Sequence, residues 1–186
     1  MIKGKYVSRG GEKLEAALER FSIEYKDKTV ADFGSSTGGF VDCLLQHEVR
    51  RVYSVDTSYG ELDWKLRNDN RVVVMERTNA MHVDLPEKMD LITIDTGWTK
   101  QEHVLPNAFL NLKEGGSIIS LIKPHYEAKD HLIHAGKLEA GSYDEVIAKV
   151  RADIERIGGK ILQIIESPIE GARAGNREYL AWIKRA

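Results

Sequence analysis

The chain has 186 residues, 42% of them hydrophobic and 30% charged, which is the composition of one soluble globular domain. No apolar run approaches the ~20 residues of a membrane span, no signal-like apolar stretch opens the chain, and Cys43 stands alone. A membrane-embedded protein and a disulfide framework are thereby excluded, and the cytoplasm is the expected compartment. Net charge is −2, so the balance itself marks no polyanion binder. Lys3, Lys5, Arg9 and Lys13 nevertheless precede every acid except Glu12. A basic N-terminal segment, residues 1–10, is either plain solvated surface or a contact for nucleic acid.

Apolar runs then alternate with helical patterns, the signature of a parallel sheet with crossover helices. The first helix is expected over Gly11–Phe21, with Leu14, Ala17, Leu18 and Phe21 on one face. A strand at Thr29–Phe33, a glycine-rich turn and a helix at Gly39–His47 follow. Strand Arg51–Val55 ends in Asp56, a helix carries Leu62, Lys65 and Leu66, and strand Val72–Met75 runs into Glu76-Arg77-Thr78-Asn79. Strand Leu91–Ile94 ends on Asp95, a helix covers Glu102–Leu112, and Gly115-Gly116 turns into strand Ser117–Ile122, which ends at Lys123-Pro124. Residues 125–141 are polar and aperiodic and read as a loop or lid. A helix at Tyr143–Ile157 stops at Gly158-Gly159, and strands Lys160–Glu166 and Glu178–Ile183 flank the segment Ser167–Arg177. Seven strands with a closing hairpin predict a Rossmann-like α/β fold whose last strand is antiparallel beside the fifth. No linker divides the chain, so residues 1–186 read as a single domain.

The most informative stretch is Asp32-Phe33-Gly34-Ser35-Ser36-Thr37-Gly38-Gly39-Phe40, where the first strand turns into a helix. Glycines there let a ligand approach the backbone, and a helix N-terminus offers unpaired N–H groups; the same glycines also suit tight packing alone. The spacing is neither G-x-G-x-x-G nor that of a phosphate loop, and no lysine follows. Asp32 would repel a pyrophosphate but suits the cationic methionyl end of S-adenosylmethionine. Asp56, at the end of the second strand, is placed either to bind both ribose hydroxyls of a nucleoside or to cap a helix. Asn79 stands either near an adenine or in a capping turn. A nucleoside cofactor without phosphates fits best, and nothing in the spacing asks for a metal.

Four charged residues converge by topology. Asp95 and Lys123 end the fourth and fifth strands at the carboxyl edge, where open α/β sheets bind ligands. Glu178 opens an antiparallel strand beside Lys123, and Lys13 opens a helix that runs against the first strand. Each alone reads as a surface ion pair, whereas together they read as a lysine poised between acids. Burial and neighbouring positive charge are expected to favour neutral Lys123, able to take a hydroxyl proton during methyl transfer.

Tyr6–Leu14, the loop Asp32–Leu44, Glu76–Ala80, Leu121–Ala128 and Gly175–Leu180 together resemble the TlyA branch of the FtsJ-like RNA 2′-O-methyltransferases. Some members of that branch carry the label hemolysin. The resemblance spans essentially the whole chain. It implies methylation of a ribose 2′-hydroxyl, usually in ribosomal RNA, with the family's Lys-Asp-Lys-Glu tetrad falling on Lys13, Asp95, Lys123 and Glu178. The partner expected is therefore rRNA or a ribosomal subunit, with no membrane. Such proteins usually carry a small RNA-binding module ahead of the catalytic domain. Here none is expected, and a partner chain is one source of the missing contacts. After Asp95 the family's Val-Ser-Phe-Ile-Ser-like stretch is replaced by Thr96-Gly97-Trp98-Thr99-Lys100, which implies an altered acceptor pocket. Trp98 could stack on a base or pack inward, and Arg9, Arg173 and Arg177 are the candidate phosphate contacts. The alternatives are methylation of a non-RNA acceptor, or a protein that holds cofactor or ribosome precursors without turnover.

Overall fold

The computed structural model describes residues 4–172 and 174–186. In chain order the strands are β1 (Thr29–Phe33), β2 (Arg51–Val55), β3 (Val72–Met75), β4 (Met89–Ile94), β5 (Leu112–Ile122), β6 (Ile133–His134), β7 (Lys137–Leu138), β8 (Gly159–Glu166) and β9 (Tyr179–Arg185). The helices are α1 (Gly10–Arg20), α2 (Gly39–Gln46), α3 (Trp64–Arg67), α4 (Gln101–Asn111), α5 (Pro124–Glu127) and α6 (Tyr143–Arg156). Seven strands form one sheet in the order β3-β2-β1-β4-β5-β9-β8, and β6 and β7 form a separate hairpin. The β8–β9 connection contains no helix, so these strands pair antiparallel, as sequence reading expected. β9 also runs antiparallel to β5, with Ile118 opposite Ile183 and Ile122 opposite Tyr179.

β1, β4 and the second half of β5 are buried on both faces, which explains why they carry apolar residues at successive positions rather than at alternate ones. Val30, Leu91 and Ile119 pack with Leu14, Leu18 and Leu44 of α1 and α2. Their chain neighbours Ala31, Ile92 and Ile118 pack with Val104 and Leu105 of α4 and Val150 and Ile154 of α6. Two cores thus clamp the sheet and fix which residues emerge at its carboxyl edge. Among the described residues, no helix is long and apolar enough to cross a membrane.

Two expectations are corrected. β5 begins at Leu112 rather than Ser117, because a bulge over residues 113–116 lets Met89 pair with Leu112 before Leu91 pairs with Ser117. Residues 125–141 are not a bare loop. They fold as α5, a 3-10 turn at Asp130–Leu132 and the β6–β7 hairpin. That hairpin is docked by Asn176, which is buried. Its Oδ1 accepts the Leu138 N–H at 2.9 Å, and its Nδ2 donates to the Gly136 carbonyl at 2.8 Å. Asn176→Ala strands a buried amide and undocks the hairpin, so denaturant unfolding should show a loss of about 2–3 kcal/mol.

Candidate active site

The carboxyl edge of the sheet opens into a cleft of about 780 Å³. Lys13, Asp95, Lys123 and Glu178 all line it. Lys13 reaches in from the start of α1 and donates to Glu178 Oε2 at 2.5 Å, both side chains being nearly buried. Glu178 sits just before β9, held in place by the turn at Gly171, where an added Cβ would lie 2.8 Å from its Oε1. Lys123, the residue after β5, donates to Asp95 Oδ1 at 2.6 Å and to the Thr96 carbonyl at 3.2 Å. The four residues form two facing ion pairs. Burial pushes the Lys123 ammonium toward its neutral form, but the Asp95 carboxylate beside it, then Glu178, outweigh that and raise its pKa above the ordinary lysine value. In the empty cleft the ion pair with Asp95 thus outweighs desolvation, and the neutral form expected for Lys123 requires the further positive charge of a bound sulfonium.

The glycine-rich loop forms the adjacent wall, with Asp32, Gly34, Ser35, Ser36, Thr37, Gly39 and Phe40 lining the cleft; Gly38 does not line it. The glycines are used for close packing between protein segments. At Gly34 (φ +87°) an added Cβ would lie 2.5 Å from the Asp95 carbonyl oxygen. A Cβ on Gly38 (φ +99°) would run into Leu62 and Leu66, and one on Gly39 would lie 2.9 Å from the Gly11 nitrogen. The loop thereby holds Asp95 and the start of α1 against the cleft. Asp32 is wholly buried; its Oδ1 accepts the Thr93 hydroxyl at 2.6 Å while Oδ2 has no partner among the described residues. Burial, helped by the negative charges of Asp95 and Asp56 and against the hydrogen bonds of Thr93 and Ser35, raises its pKa from 3.8 to about 7.

The remaining predicted site residues are placed as follows. Asp56 lies outside the cleft lining: its Oδ2 accepts the Ser36 N–H at 2.7 Å, and its Oδ1 takes the Ser58 N–H and hydroxyl. It fastens the glycine loop to the end of β2. Asn79 is also outside the lining, its Oδ1 accepting the Met81 N–H at 2.9 Å in a local turn. Arg9 is exposed at the cleft. Trp98 lies at the cleft with 69% of its surface exposed and its ring 6.2 Å from that of Tyr126. Arg177 turns away, its guanidinium 4.1 Å from the centre of the Tyr143 ring and 3.9 Å from Glu166. Arg173 lies outside the described residues, as does Lys3. Lys5 is committed to an ion pair with Glu15, so the basic N-terminal segment is partly tied down.

Sequence reasoning missed Ser8, Thr93, His125 and Tyr126. His125 and Tyr126 follow Lys123 directly in the turn that enters α5, and that adjacency was the available signal. They line the cleft with ring centres 4.1 Å apart.

A sheet of this strand order is the fold of S-adenosylmethionine-dependent methyltransferases, and a solved one from Clostridium acetobutylicum superposes with a TM-score of 0.63 at 15% identity, covering 95% of this chain and 90% of that one. A family model for FtsJ-like methyltransferases matches residues 6–185. The chain belongs to the FtsJ-like methyltransferase family. It is 41% identical to the Bacillus subtilis protein named "Putative rRNA methyltransferase YqxC", over 96% of this chain and 66% of that one. It is 36% identical to the Mycobacterium tuberculosis 16S/23S rRNA (cytidine-2′-O)-methyltransferase TlyA, over 96% of this chain and 68% of the relative. A solved Streptococcus thermophilus protein called "Putative hemolysin" superposes with a TM-score of 0.94 at 35% identity, covering 99% of this chain and 68% of that one. The chain therefore spans about two thirds of the length of these relatives.

Proposed function

We propose that this chain transfers the methyl group of S-adenosylmethionine to a ribose 2′-hydroxyl of ribosomal RNA. The observation that carries this reading is the pairing of Lys13 with Glu178 and of Lys123 with Asp95 around one cleft, in a chain that belongs to a methyltransferase family. The residues present fit the methyl donor. Asp32, a buried acid with one oxygen unpaired, belongs to the lining of a cleft that has ample volume for a nucleoside, and its charge would suit a cationic amino-acid end. Ser35, Ser36, Thr37, Gly39 and Phe40 would contact the donor. Asp56 would receive its ribose through the lone pairs left on its carboxylate. Asn79 stands further out, and only its turn would border the adenine.

When bound, S-adenosylmethionine supplies an electrophilic methyl carried on a positive sulfonium. Lys123 then holds the proton economy of the site. A second positive charge in the cleft opposes the Asp95 ion pair and favours loss of the ammonium proton. The neutral amine, its own proton released to solvent, would take the 2′-hydroxyl proton at Nζ as the oxygen–carbon bond forms and the methyl's bond to sulfur breaks, with a neutral thioether leaving. Asp95 orients Lys123, and Glu178 orients Lys13, whose ammonium positions the acceptor oxygen. Arg9 and Trp98 at the cleft receive the RNA, Arg9 at phosphate and Trp98 against a base; Arg177 would have to leave the Tyr143 ring to join them. Residues 1–186 act as one catalytic domain, in the cytoplasm where ribosomes are built, and a partner chain would be a source of further RNA contacts.

The test is transfer of labelled methyl from S-adenosylmethionine to rRNA or isolated ribosomal subunits, with nuclease mapping of the product to a 2′-O-methyl nucleotide. Label appearing only in protein or small molecules would overturn the RNA reading.

A further inference from the structure

His125 is a titratable cleft residue that takes no part in the proposed methyl transfer. His125 lines the cleft beside Lys123, yet its Nδ1 is buried and has no hydrogen-bond partner among the described residues. Its ring rests on that of Tyr126, which continues to Trp98, so three rings form a contiguous wall on the Lys123 side of the cleft. Stacking alone would be served as well by phenylalanine. A buried ring nitrogen without a partner costs roughly 1–3 kcal/mol, and native structures rarely tolerate that without a use for the group.

The charge state narrows that use. Burial, and then the positive charge of Lys123, hold the His125 pKa below its ordinary value, so the imidazole is neutral at physiological pH. A neutral imidazole carries one donor and one acceptor nitrogen. It therefore suits a neutral partner with hydrogen-bonding edges, and not a phosphate, which the neighbouring cations already serve. An unpaired RNA base stacked along the ring wall presents such an edge.

We propose that His125 is a specificity-determining residue that hydrogen-bonds the base edge of the nucleotide whose ribose is methylated. This rests on the RNA reading of the site given above. His125 touches the base and leaves the proton transfer to Lys123.

Steady-state methylation of rRNA by the wild-type chain, His125→Phe and His125→Gln tests it, with calorimetric titration of S-adenosylmethionine alongside. His125→Phe keeps the stacking surface and should raise KM for RNA about tenfold, with kcat within threefold and S-adenosylmethionine affinity unchanged. His125→Gln restores a donor and an acceptor and should recover most of that loss. Unchanged KM in His125→Phe, or equal losses in Phe and Gln, overturns the inference while wild-type methylation leaves the RNA reading standing. A wild-type chain that binds S-adenosylmethionine but methylates no RNA overturns both.

Discussion

Lys123→Arg should reduce methyl transfer by about 10²–10⁴-fold while leaving the fold and S-adenosylmethionine binding intact. The substitution separates two things that lysine does at this position. In the resting cleft Lys123 is a cation paired with Asp95 at 2.6 Å, and arginine preserves that pair. During the reaction proposed here the same nitrogen must become a neutral base, which a guanidinium with a pKa above ~12 cannot do. The raised lysine pKa has a definite sign for the pH profile. The base form is scarce at neutral pH and grows as pH rises, so log kcat should climb with pH throughout pH 6–9 in the wild-type enzyme. Lys123→Arg should show no such limb. Lys123→Met makes the complementary comparison: it loses the base and also leaves Asp95 without its counter-charge, so it should lose stability as well. Single-turnover methylation across pH 6–9, with thermal unfolding of each variant, decides the matter. If Lys123→Arg kept more than a tenth of the wild-type rate, the lysine would be acting only as a fixed positive charge.

How far this site could be read from sequence follows from which of its properties are local. Apolar runs that end in Asp95 or Lys123 declare both the strand and its carboxyl edge, so the convergence of Lys13, Asp95, Lys123 and Glu178 was legible from topology. The β6–β7 hairpin was not legible. Its residues are polar and aperiodic, and what holds it is Asn176, 38–40 positions away along the chain. The bulge that starts β5 early was hidden for a similar reason, since Leu112 joins the sheet only by pairing with Met89. The fate of individual polar groups was the least legible. Asp56 stands where a ribose-binding acid belongs, but the donors on its oxygens come from Ser36 and Ser58 through the local path of the backbone. Arg177 lies in a recognisable motif yet turns onto Tyr143. The charge on Lys123 depends on a distance to Asp95 that no pattern of residue types encodes.

Asp32 is the second place where a large effect is expected, because its carboxylate is buried with one oxygen unpaired. Its pKa in the folded chain is about 7 against an ordinary 3.8. A folded-state pKa that is raised means stability is fully present below the unfolded value and is lost as pH climbs through the folded one. The native state keeps Asp32 protonated from about pH 4 to 7 while the unfolded chain has ionised, and the resulting penalty reaches on the order of 4 kcal/mol above pH 7. Asp32→Asn cannot ionise. Relative to wild type its stability should therefore move in the variant's favour by several kcal/mol between pH 4 and pH 8, as measured by denaturant unfolding. Binding should shift the opposite way. A cationic methionyl end favours the ionised carboxylate, so wild-type affinity for S-adenosylmethionine should rise with pH through the region of pH 7. The asparagine variant should bind about 10–100-fold more weakly at pH 8 and show a flatter dependence. Calorimetry at pH 6, 7 and 8 on both proteins reads this directly. A variant that gained stability at high pH and lost no affinity would mark Asp32 as a strained structural acid with no part in holding the donor. Gain of stability together with loss of affinity would identify the buried carboxylate as a group whose cost to the empty fold is recovered when the positive ligand arrives.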